Sequence, residues 1–355
     1  MTVDLKTSLG ALLLAPWRTL ALLSSAKSFV DNPILGSRWL NARGLHVGRL
    51  RLAHAMTHAR RERLAHRVSP EDRAAFERDG FVLRRELLPP AQFAALREQL
   101  LAQAAPAREM LQGDTVTRRI AVDAALRRQV PALQPFIAHP AWQGLTRYVA
   151  GYRREPWVYV QSILSQTREA PPDPQTHLHA DTFHPTMKAW YFLTDVAEDE
   201  GPFCYVPGSH RLTPQRLAWE QAMSLRASEQ ADRYSARGSF RIAEAELAAL
   251  GLPPPRRFAV PANTLIVADT FGFHARGPSA RPSTRIELWG YDRRNPFWPG
   301  STDGGLALLG LTGRRPALYW RLLDTLERWG GRRNPWRDAG RLTAGAPPAS
   351  PGGPA

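Results

Sequence analysis

The chain has 355 residues, of which 43% are hydrophobic and 22% charged, a composition typical of a globular protein rather than a disordered or collagen-like one. A single cysteine excludes a disulfide framework and a cysteine-based zinc site. The formal net charge is +15, and only three of the 47 basic residues are lysine. A chain this basic brings nucleic acid and anionic lipid into consideration as partners.

The positive charge is concentrated at the two ends of the chain. Residues 1–68 hold 11 basic and 3 acidic side chains, and residues 314–355 hold 8 basic and 3 acidic ones. Residues 69–313 hold 28 basic and 26 acidic side chains, so this middle part is close to neutral. The net charge therefore bears more on where the protein docks than on what its middle part does.

The N-terminal flank, residues 1–68, is predicted to be a basic helical extension. Its apolar stretch at 9–23 is interrupted by Pro16 and Arg18 and is too short for a transmembrane helix, which needs ~20 apolar residues. We expect this stretch to pack on the protein's own core, with a helix on a membrane surface as the alternative. The basic stretch at 45–67 is expected to be a solvated helix face, with contact to phosphate groups as the alternative.

The C-terminal flank divides into two parts. Residues 314–341 are predicted to form a helix, from Pro316 to Trp329, and a basic segment, because leucines recur at helical spacing and two glycines follow. Residues 342–355 are rich in Pro, Gly, Ala and Ser, which predicts a disordered tail.

Residues 69–313 are predicted to form the main domain, with helices before strands. Ser69 followed by Pro70 and two acidic residues is a helix start, and Gly80 ends that helix. A second helix follows Pro90. Short strands between Pro/Gly turns then favour a jelly roll or sandwich, with a helical insertion at about 214–255. The predicted strands cover residues 81–83, 157–162, 189–193, 203–206, 264–268 and 285–291.

One histidine of the ten has an acidic residue two positions later, in His179-Ala180-Asp181. Positions i and i+2 of a strand share one face, so an imidazole and a carboxylate can bind one metal side by side. His274, just past an apolar strand, is the candidate second histidine. Two histidines and one carboxylate form the facial triad of non-haem Fe(II) oxygenases, although the His-x-Asp pattern alone is common by chance.

Arg285 opens the strand that comes eleven residues after His274. An arginine that points into a barrel is costly to bury without an anion, and a guanidinium grips a carboxylate through two parallel hydrogen bonds. The far carboxylate of 2-oxoglutarate is the candidate anion.

These segments resemble the phytanoyl-CoA dioxygenase family of Fe(II)/2-oxoglutarate oxygenases over roughly residues 69–295. The motifs that carry the resemblance, in the family's order, are Phe76-Glu77-Arg78-Asp79-Gly80-Phe81-Val82, His179-Ala180-Asp181, Glu198-Asp199-Glu200-Gly201-Pro202-Phe203, Pro207-Gly208-Ser209-His210, and His274 with Arg285. The turn Pro261-Ala262-Asn263-Thr264 stands where many members have Gly-Asp, and Asn tolerates the left-handed backbone nearly as well as Gly.

The resemblance implies a mainly β fold with flanking helices around a double-stranded β-helix (jelly-roll, cupin-like) core. It implies Fe(II) held by His179, Asp181 and His274, the cosubstrate 2-oxoglutarate bound at Arg285, and O2 as oxidant. Halogenating relatives replace the carboxylate by a small residue, so Asp181 predicts hydroxylation of a small organic or lipid-like substrate, with release of succinate and CO2.

Two other functions stay open at this point. One is a cupin-type metalloenzyme that does not use 2-oxoglutarate. The other is a basic protein that binds a membrane surface or nucleic acid and has an inactive barrel. The near-neutral middle part favours a small-molecule enzyme without a specific nucleic-acid partner. We expect it in the cytoplasm, with the basic flanks available for peripheral contact with an anionic membrane.

Several further side chains have two interpretations each. Lys188 either assists 2-oxoglutarate or a substrate anion, or is a strand-edge lysine that discourages aggregation. His210 is expected to be structural, because it lies in a Pro-Gly turn, and His184 either touches the substrate or is a loop residue. His177 is expected near the ligands or in solvent. Four arginines near the last strands are candidates to bind an anionic substrate: Arg276, Arg281, Arg293 and Arg294.

Overall fold

The computed structural model describes residues 18–229, 232–300, 315–330 and 333–349. The strands are β1 (Phe81–Arg84), β2 (Ala105–Gln112), β3 (Thr115–Ala121), β4 (Trp157–Ser165), β5 (Met187–Phe192), β6 (Phe203–Tyr205), β7 (Arg256–Phe258), β8 (Leu265–Asp269), β9 (His274–Arg276), β10 (Ser283–Asp292) and β11 (Arg337–Leu342). The α-helices are α1 (Arg38–Ala42), α2 (Leu45–Glu62), α3 (Pro70–Asp79), α4 (Pro90–Ala102), α5 (Ala124–Gln129), α6 (Leu133–Ala138), α7 (Pro140–Ala150), α8 (Pro214–Arg226), α9 (Arg233–Ala236), α10 (Glu244–Leu247) and α11 (Arg315–Arg328). Short 3-10 turns cover Ala21–Leu23, Ala65–Arg67, Pro174–Thr176, Ala227–Glu229 and Ala248–Leu250.

Two antiparallel sheets form the core of the molecule. The larger has the order β1-β8-β5-β10-β4-β3-β2-β11 and the smaller β7-β6-β9. Aromatic side chains join the two sheets, and the rings of Trp190 on β5 and Phe203 on β6 stack with centroids 4.0 Å apart. Helices α3 to α7 contribute Leu96, Phe136 and Trp142 to the core on the other face of the larger sheet. The predicted mainly β, jelly-roll fold with flanking helices is confirmed.

The first motif of the main domain folds as its sequence predicts. The Ser69 hydroxyl accepts a hydrogen bond from the Asp72 amide and caps α3. Gly80 ends the helix in the left-handed region, with φ of 85°. Phe81 then begins β1, which pairs with β8. Asn263 also has a positive φ, 62°, as expected of the residue that replaces glycine in its turn.

Five strands have no counterpart in the prediction: β2, β3, β7, β9 and β11. Arg118 of β3 is fully buried and pairs with Glu109 of β2 at 2.6 Å. The same guanidinium donates to the carbonyls of Thr343, Ala346 and Pro347. The expectation of a disordered tail is therefore wrong for residues 343–347, because a buried arginine from a distant strand binds their backbone; residues 350–355 lie outside the described residues.

The N-terminal flank is built into the core rather than laid over it. Arg49, Arg60 and Arg61 of α2 are buried, so the expectation that 45–67 presents a solvated basic face is wrong for these three residues. Arg49 donates to the carbonyls of residues 22, 24 and 26, and Arg61 forms an ion pair with Asp269 at 2.8 Å. Most of the predicted apolar stretch lies outside the described residues. None of the described helices is both long and apolar enough to cross a membrane.

Candidate metal centre and active-site cleft

A short backbone pairing brings two distant histidines together. The amide of His179 donates to the carbonyl of His274, and the amide of His274 donates to the carbonyl of His179, both at 3.0 Å. His179 forms an isolated bridge rather than a full strand, while His274 begins β9. Two residues further on, the amide of Asp181 donates to the carbonyl of Thr270. Hydrogen bonds thus fix the backbone of all three predicted ligands.

The side chains of these three residues converge on one point. One ligand atom from each of His179, Asp181 and His274 lies within 4.8 Å of the other two. Asp181 Oδ1 is 3.8 Å from Nε2 of His179 and 3.7 Å from Nε2 of His274. Among the described residues, no other group of three histidine, cysteine or acidic side chains is placed to hold a metal ion. The structure thus brings His274 together with Asp181, which lies 93 residues earlier in the sequence.

The hydrogen bonds of the two imidazoles fit a metal. Nδ1 of His179 donates to the carbonyl of His177 at 2.8 Å, and Nδ1 of His274 donates to the carbonyl of Gly272 at 3.0 Å. A proton on Nδ1 leaves the lone pair on Nε2, which is the tautomer that a metal requires. Nε2 of His274 is buried and has no hydrogen-bond partner among the described residues. A divalent cation would accept the lone pair of this nitrogen.

Burial and charge set the protonation of the triad. Burial lowers the pKa of His179 well below its usual value, and it lowers the pKa of His274 to about 4. Burial alone would raise the pKa of Asp181, but the neighbouring ammonium group of Lys188 outweighs burial and holds that pKa well below the usual range. Neutral imidazoles and an ionised carboxylate are the forms that bind a metal.

Two of the chain's three lysines contact Asp181. Lys188 Nζ lies 2.7 Å from the carboxylate atom Oδ2, and Lys27 Nζ donates to the backbone carbonyl at 2.5 Å. Lys188 lies on β5 in the middle of the larger sheet, so its interpretation as a strand-edge lysine is wrong. The contact of Lys27 was not predicted. Its one sequence signal is that lysine is rare in this chain.

Arg285 is buried in the cleft and has an acidic partner of its own. Its Nε donates to Glu287 Oε2 at 2.9 Å, and its Nη1 donates to the carbonyl of Gly201. Gln161 Nε2 donates to the other oxygen of Glu287 at 2.8 Å. Glu287 is two residues after Arg285 on one strand face, a spacing that could have revealed the pair. The burial of Arg285 thus does not by itself require a bound anion.

A cavity of about 510 Å³ joins the triad to Arg285. Its wall is rich in aromatic side chains: Trp157, Tyr159, Trp190, Phe203, Trp289, Tyr291, Tyr319 and Trp336. Tyr319 and Trp336 come from the C-terminal flank, so this flank completes the cleft. Arg119 and Arg293 also line the cavity, and no sequence pattern singles out Arg119.

The three other histidines considered in the sequence analysis lie away from the cavity lining. His210 is buried, and its ring packs 5.4 Å from that of Phe76. His184 is buried and bonds to the carbonyl of Pro185. His177 is exposed and contributes only its carbonyl, which accepts from His179. Of the arginines suggested for a substrate anion, Arg281 pairs with Asp199 outside the cavity, and Arg276 pairs with Asp173.

The family comparison agrees with the motifs. Residues 76–249 match the family model described as phytanoyl-CoA dioxygenase (PhyH). The chain has a phytanoyl-CoA dioxygenase family domain. The family resemblance that the motifs indicated is confirmed. The matched segment contains two members of the triad, His179 and Asp181, while His274 lies beyond its end.

Solved structures with a similar fold were found at low sequence identity. The epimerase SnoN in complex with Fe3+, alpha ketoglutarate and nogalamycin RO is 20% identical, with 62% of this chain and 81% of SnoN covered and a TM-score of 0.43. The non-heme alpha ketoglutarate dependent carbocyclase SnoK is 20% identical, with 68% and 90% covered and a TM-score of 0.41. HygX from Streptomyces hygroscopicus, with nickel and 2-oxoglutarate bound, is 17% identical, with 63% and 87% covered and a TM-score of 0.40. No curated protein sequence matches this PhyH-domain chain significantly.

Proposed function

We propose that the chain is a non-haem Fe(II)/2-oxoglutarate-dependent dioxygenase that acts on a small organic or lipid-like molecule. One observation carries the proposal: two imidazole nitrogens and a carboxylate converge within 4.8 Å, with both imidazoles fixed in the metal-binding tautomer. The family match supports the same reaction class.

In the proposed enzyme, His179, Asp181 and His274 hold Fe(II) and leave three adjacent coordination positions open. Iron bound there would supply O2 activation, which couples the decarboxylation of 2-oxoglutarate to succinate and CO2 with oxidation of the substrate. Lys188 keeps the Asp181 carboxylate ionised and oriented through its 2.7 Å contact. The carbonyls of residues 177 and 272 hold the imidazole rings in place.

Arg285 is the proposed anchor for 2-oxoglutarate. Glu287 and Gly201 accept hydrogen bonds from Nε and Nη1, whereas Nη2 makes no hydrogen bond to the described residues. The far carboxylate of 2-oxoglutarate would take that remaining position. Glu287 then orients the guanidinium, and Gln161 in turn orients Glu287.

Hydroxylation is the proposed outcome, because Asp181 occupies the coordination position that a halide takes in halogenating relatives. Substrate-stimulated release of succinate across a compound library tests the proposal. Asp181→Ala should release no succinate, whereas Asp199→Ala, an acidic residue outside the cavity, should match the wild type. An active Asp181→Ala variant would contradict the metal assignment.

The alternative enzyme keeps the metal without 2-oxoglutarate. Arg285→Ala separates the two functions, since it should abolish succinate formation in a 2-oxoglutarate enzyme. Unchanged metal-dependent turnover in that variant would favour the alternative. A steep salt dependence of nucleic-acid binding, together with no succinate formation by the wild type, would instead favour a binding protein with an inactive barrel.

We also propose that the enzyme meets an anionic membrane through the C-terminal flank. Helix α11 and the residue that follows it expose an apolar stripe, Leu318, Leu322, Leu326 and Trp329, with exposed fractions of 43%, 55%, 48% and 85%. The exposed Arg321 and Arg328 lie on the same helix, while its acidic residues Asp324 and Glu327 pair with Arg108 and Arg337. An exposed apolar stripe beside arginines is typical of a helix that lies in a membrane interface.

A further inference from the structure

The cations in the cleft differ in whether the protein supplies an acidic partner. Arg276 pairs with Asp173, Arg154 with Asp292, Arg285 with Glu287 and Lys188 with Asp181. Among the described residues, no carboxylate pairs with Arg119 or Arg293, although both line the cavity. A cation that faces a partly enclosed cavity without a counter-charge favours an anionic ligand.

Arg119 is held in place, unlike Arg293. Its Nε donates to Gln161 Oε1 at 2.9 Å, which is a neutral acceptor. Its guanidinium carbon lies 4.0 Å from the ring centroid of Trp289 and 4.3 Å from that of Trp336. Stacking on indole rings orients a guanidinium and leaves its edge for in-plane hydrogen bonds. Burial lowers the pKa of Arg119 to about 10, so the side chain stays charged at neutral pH.

A chain of hydrogen bonds joins Arg119 to the proposed 2-oxoglutarate anchor. It runs from Arg285 to Glu287, from Glu287 to Gln161 and from Gln161 to Arg119. Glu287 on β10 and Arg119 on β3 both lie opposite Gln161 on β4. The backbones of Arg119 and Glu287 are therefore two strand spacings, about 10 Å, apart. Arg119 is thus fixed relative to Arg285 but far enough away to receive a different anion.

We propose that Arg119 binds an anionic group of the substrate, and that the substrate is a small organic acid whose flat apolar body lies against the aromatic wall of the cleft. The Nη atoms of Arg119 would donate to a carboxylate, sulfate or phosphate oxygen, while Trp289 and Tyr159 would contact the apolar body. This proposal rests on the proposed function, since it assigns 2-oxoglutarate to Arg285 and the substrate to Arg119.

Calorimetry on the full chain, loaded with Ni(II) and 2-oxoglutarate so that no turnover occurs, tests the proposal. The probes are phenyl-, naphthyl- and indolylacetates, each compared with its uncharged primary amide. We expect the wild type to bind at least one acid about tenfold or more tightly than its amide, because the amide cannot accept a charge-assisted pair of hydrogen bonds. Arg119→Gln should bind acid and amide equally. Arg281→Gln, which removes an exposed arginine outside the cavity, should keep the wild-type preference.

Three results would overturn the proposal: no acid preference for any probe, an unchanged preference in Arg119→Gln, or a preference lost in Arg293→Gln instead. If Arg119→Gln does not fold, Arg119→Lys, which keeps the charge but not the fork, should show a reduced preference that is still measurable. The same titrations measure 2-oxoglutarate binding separately. If 2-oxoglutarate does not bind, the proposed function is contradicted. The proposal for Arg119 is tested separately, by whether Arg119→Gln loses the preference for the acid over its amide.

Discussion

The two basic flanks have the same signature in sequence and opposite structures. In the N-terminal flank, Arg49, Arg60 and Arg61 turn inward, and their guanidinium groups donate to backbone carbonyls or to the buried Asp269. In the C-terminal flank, α11 presents leucines to solvent and Trp329 directly after it is exposed as well, with exposed arginines beside them. The same excess of positive charge is thus structural at one end of the chain and available for contact at the other.

This difference shows why a charge count does not locate a binding surface. A guanidinium has five donors and satisfies several carbonyls at once, so a basic helix can serve as an internal brace. Lys27 gives this brace a functional consequence, because Arg49 holds the carbonyls of residues 24 and 26 next to it, and Lys27 contacts the backbone of Asp181. The N-terminal flank therefore contacts the backbone of a candidate metal ligand.

The largest expected effect on stability comes from Arg61→Ala. The substitution would leave the carboxylate of Asp269, which is 1% exposed, without its cation, and breaking a buried ion pair on one side costs about 3–5 kcal/mol. Chemical denaturation measures the free energy of unfolding. Arg51→Ala, an exposed arginine on the same helix, should change it by less than about 0.5 kcal/mol. Equal effects of the two substitutions would show that α2 is not an internal brace.

A smaller effect is expected from Arg49→Met. The substitution removes the hydrogen bonds that pin residues 22–26, and unsatisfied buried carbonyls cost about 1–3 kcal/mol. Limited trypsin digestion should then cut after Lys27 several-fold faster than in the wild type. The Arg51→Met variant should be cut at the wild-type rate. Unchanged cleavage in Arg49→Met would mean that the segment around Lys27 is held by other contacts.

The double variant Leu322→Asp/Leu326→Asp should leave stability nearly unchanged and weaken membrane binding. Co-sedimentation with vesicles of phosphatidylserine and phosphatidylcholine should fall several-fold, because α11 loses its apolar contact and gains repulsion from the anionic surface. Leu52→Asp is the matched control, since Leu52 on the N-terminal helix α2 is exposed to the same 48% as Leu326. If both variants bind vesicles equally, the two flanks do not differ in the proposed way.

The sequence predicted correctly those helix ends and turns whose structure depends on one residue and its neighbours. Ser69, Gly80 and Asn263 act through their own backbone positions, and each does what its residue type indicates. His179 and Asp181 were recognised as candidate ligands because side chains two positions apart on a strand share one face and can bind the same metal. The convergence of the three candidate ligands within 4.8 Å depends on long-range backbone hydrogen bonds, between residues 179 and 274 and from residue 181 to residue 270.

Elements that depend on distant partners were missed or misassigned. Strand β11 contains Gly340 and several charges, and it forms only because the edge of β2 is available to it. The order of residues 343–347 depends on Arg118, and the central position of Lys188 depends on the order of strands in the sheet. Arg119 is distinguished by a combination: it has no acidic partner, yet Gln161, Trp289 and Trp336 hold it in the cleft. Only the three-dimensional structure reveals that combination.

The binding of Fe(II) and 2-oxoglutarate without oxygen tests the central claim most directly. The wild type should develop the visible charge-transfer band of an iron–2-oxoglutarate complex when both are added, and His274→Ala should not. Arg285→Ala should still bind the metal but need much more 2-oxoglutarate to give the band. A wild-type protein that binds Fe(II) but gives no band with 2-oxoglutarate, or a His274→Ala variant that gives the full band, would contradict the assignment of this cleft.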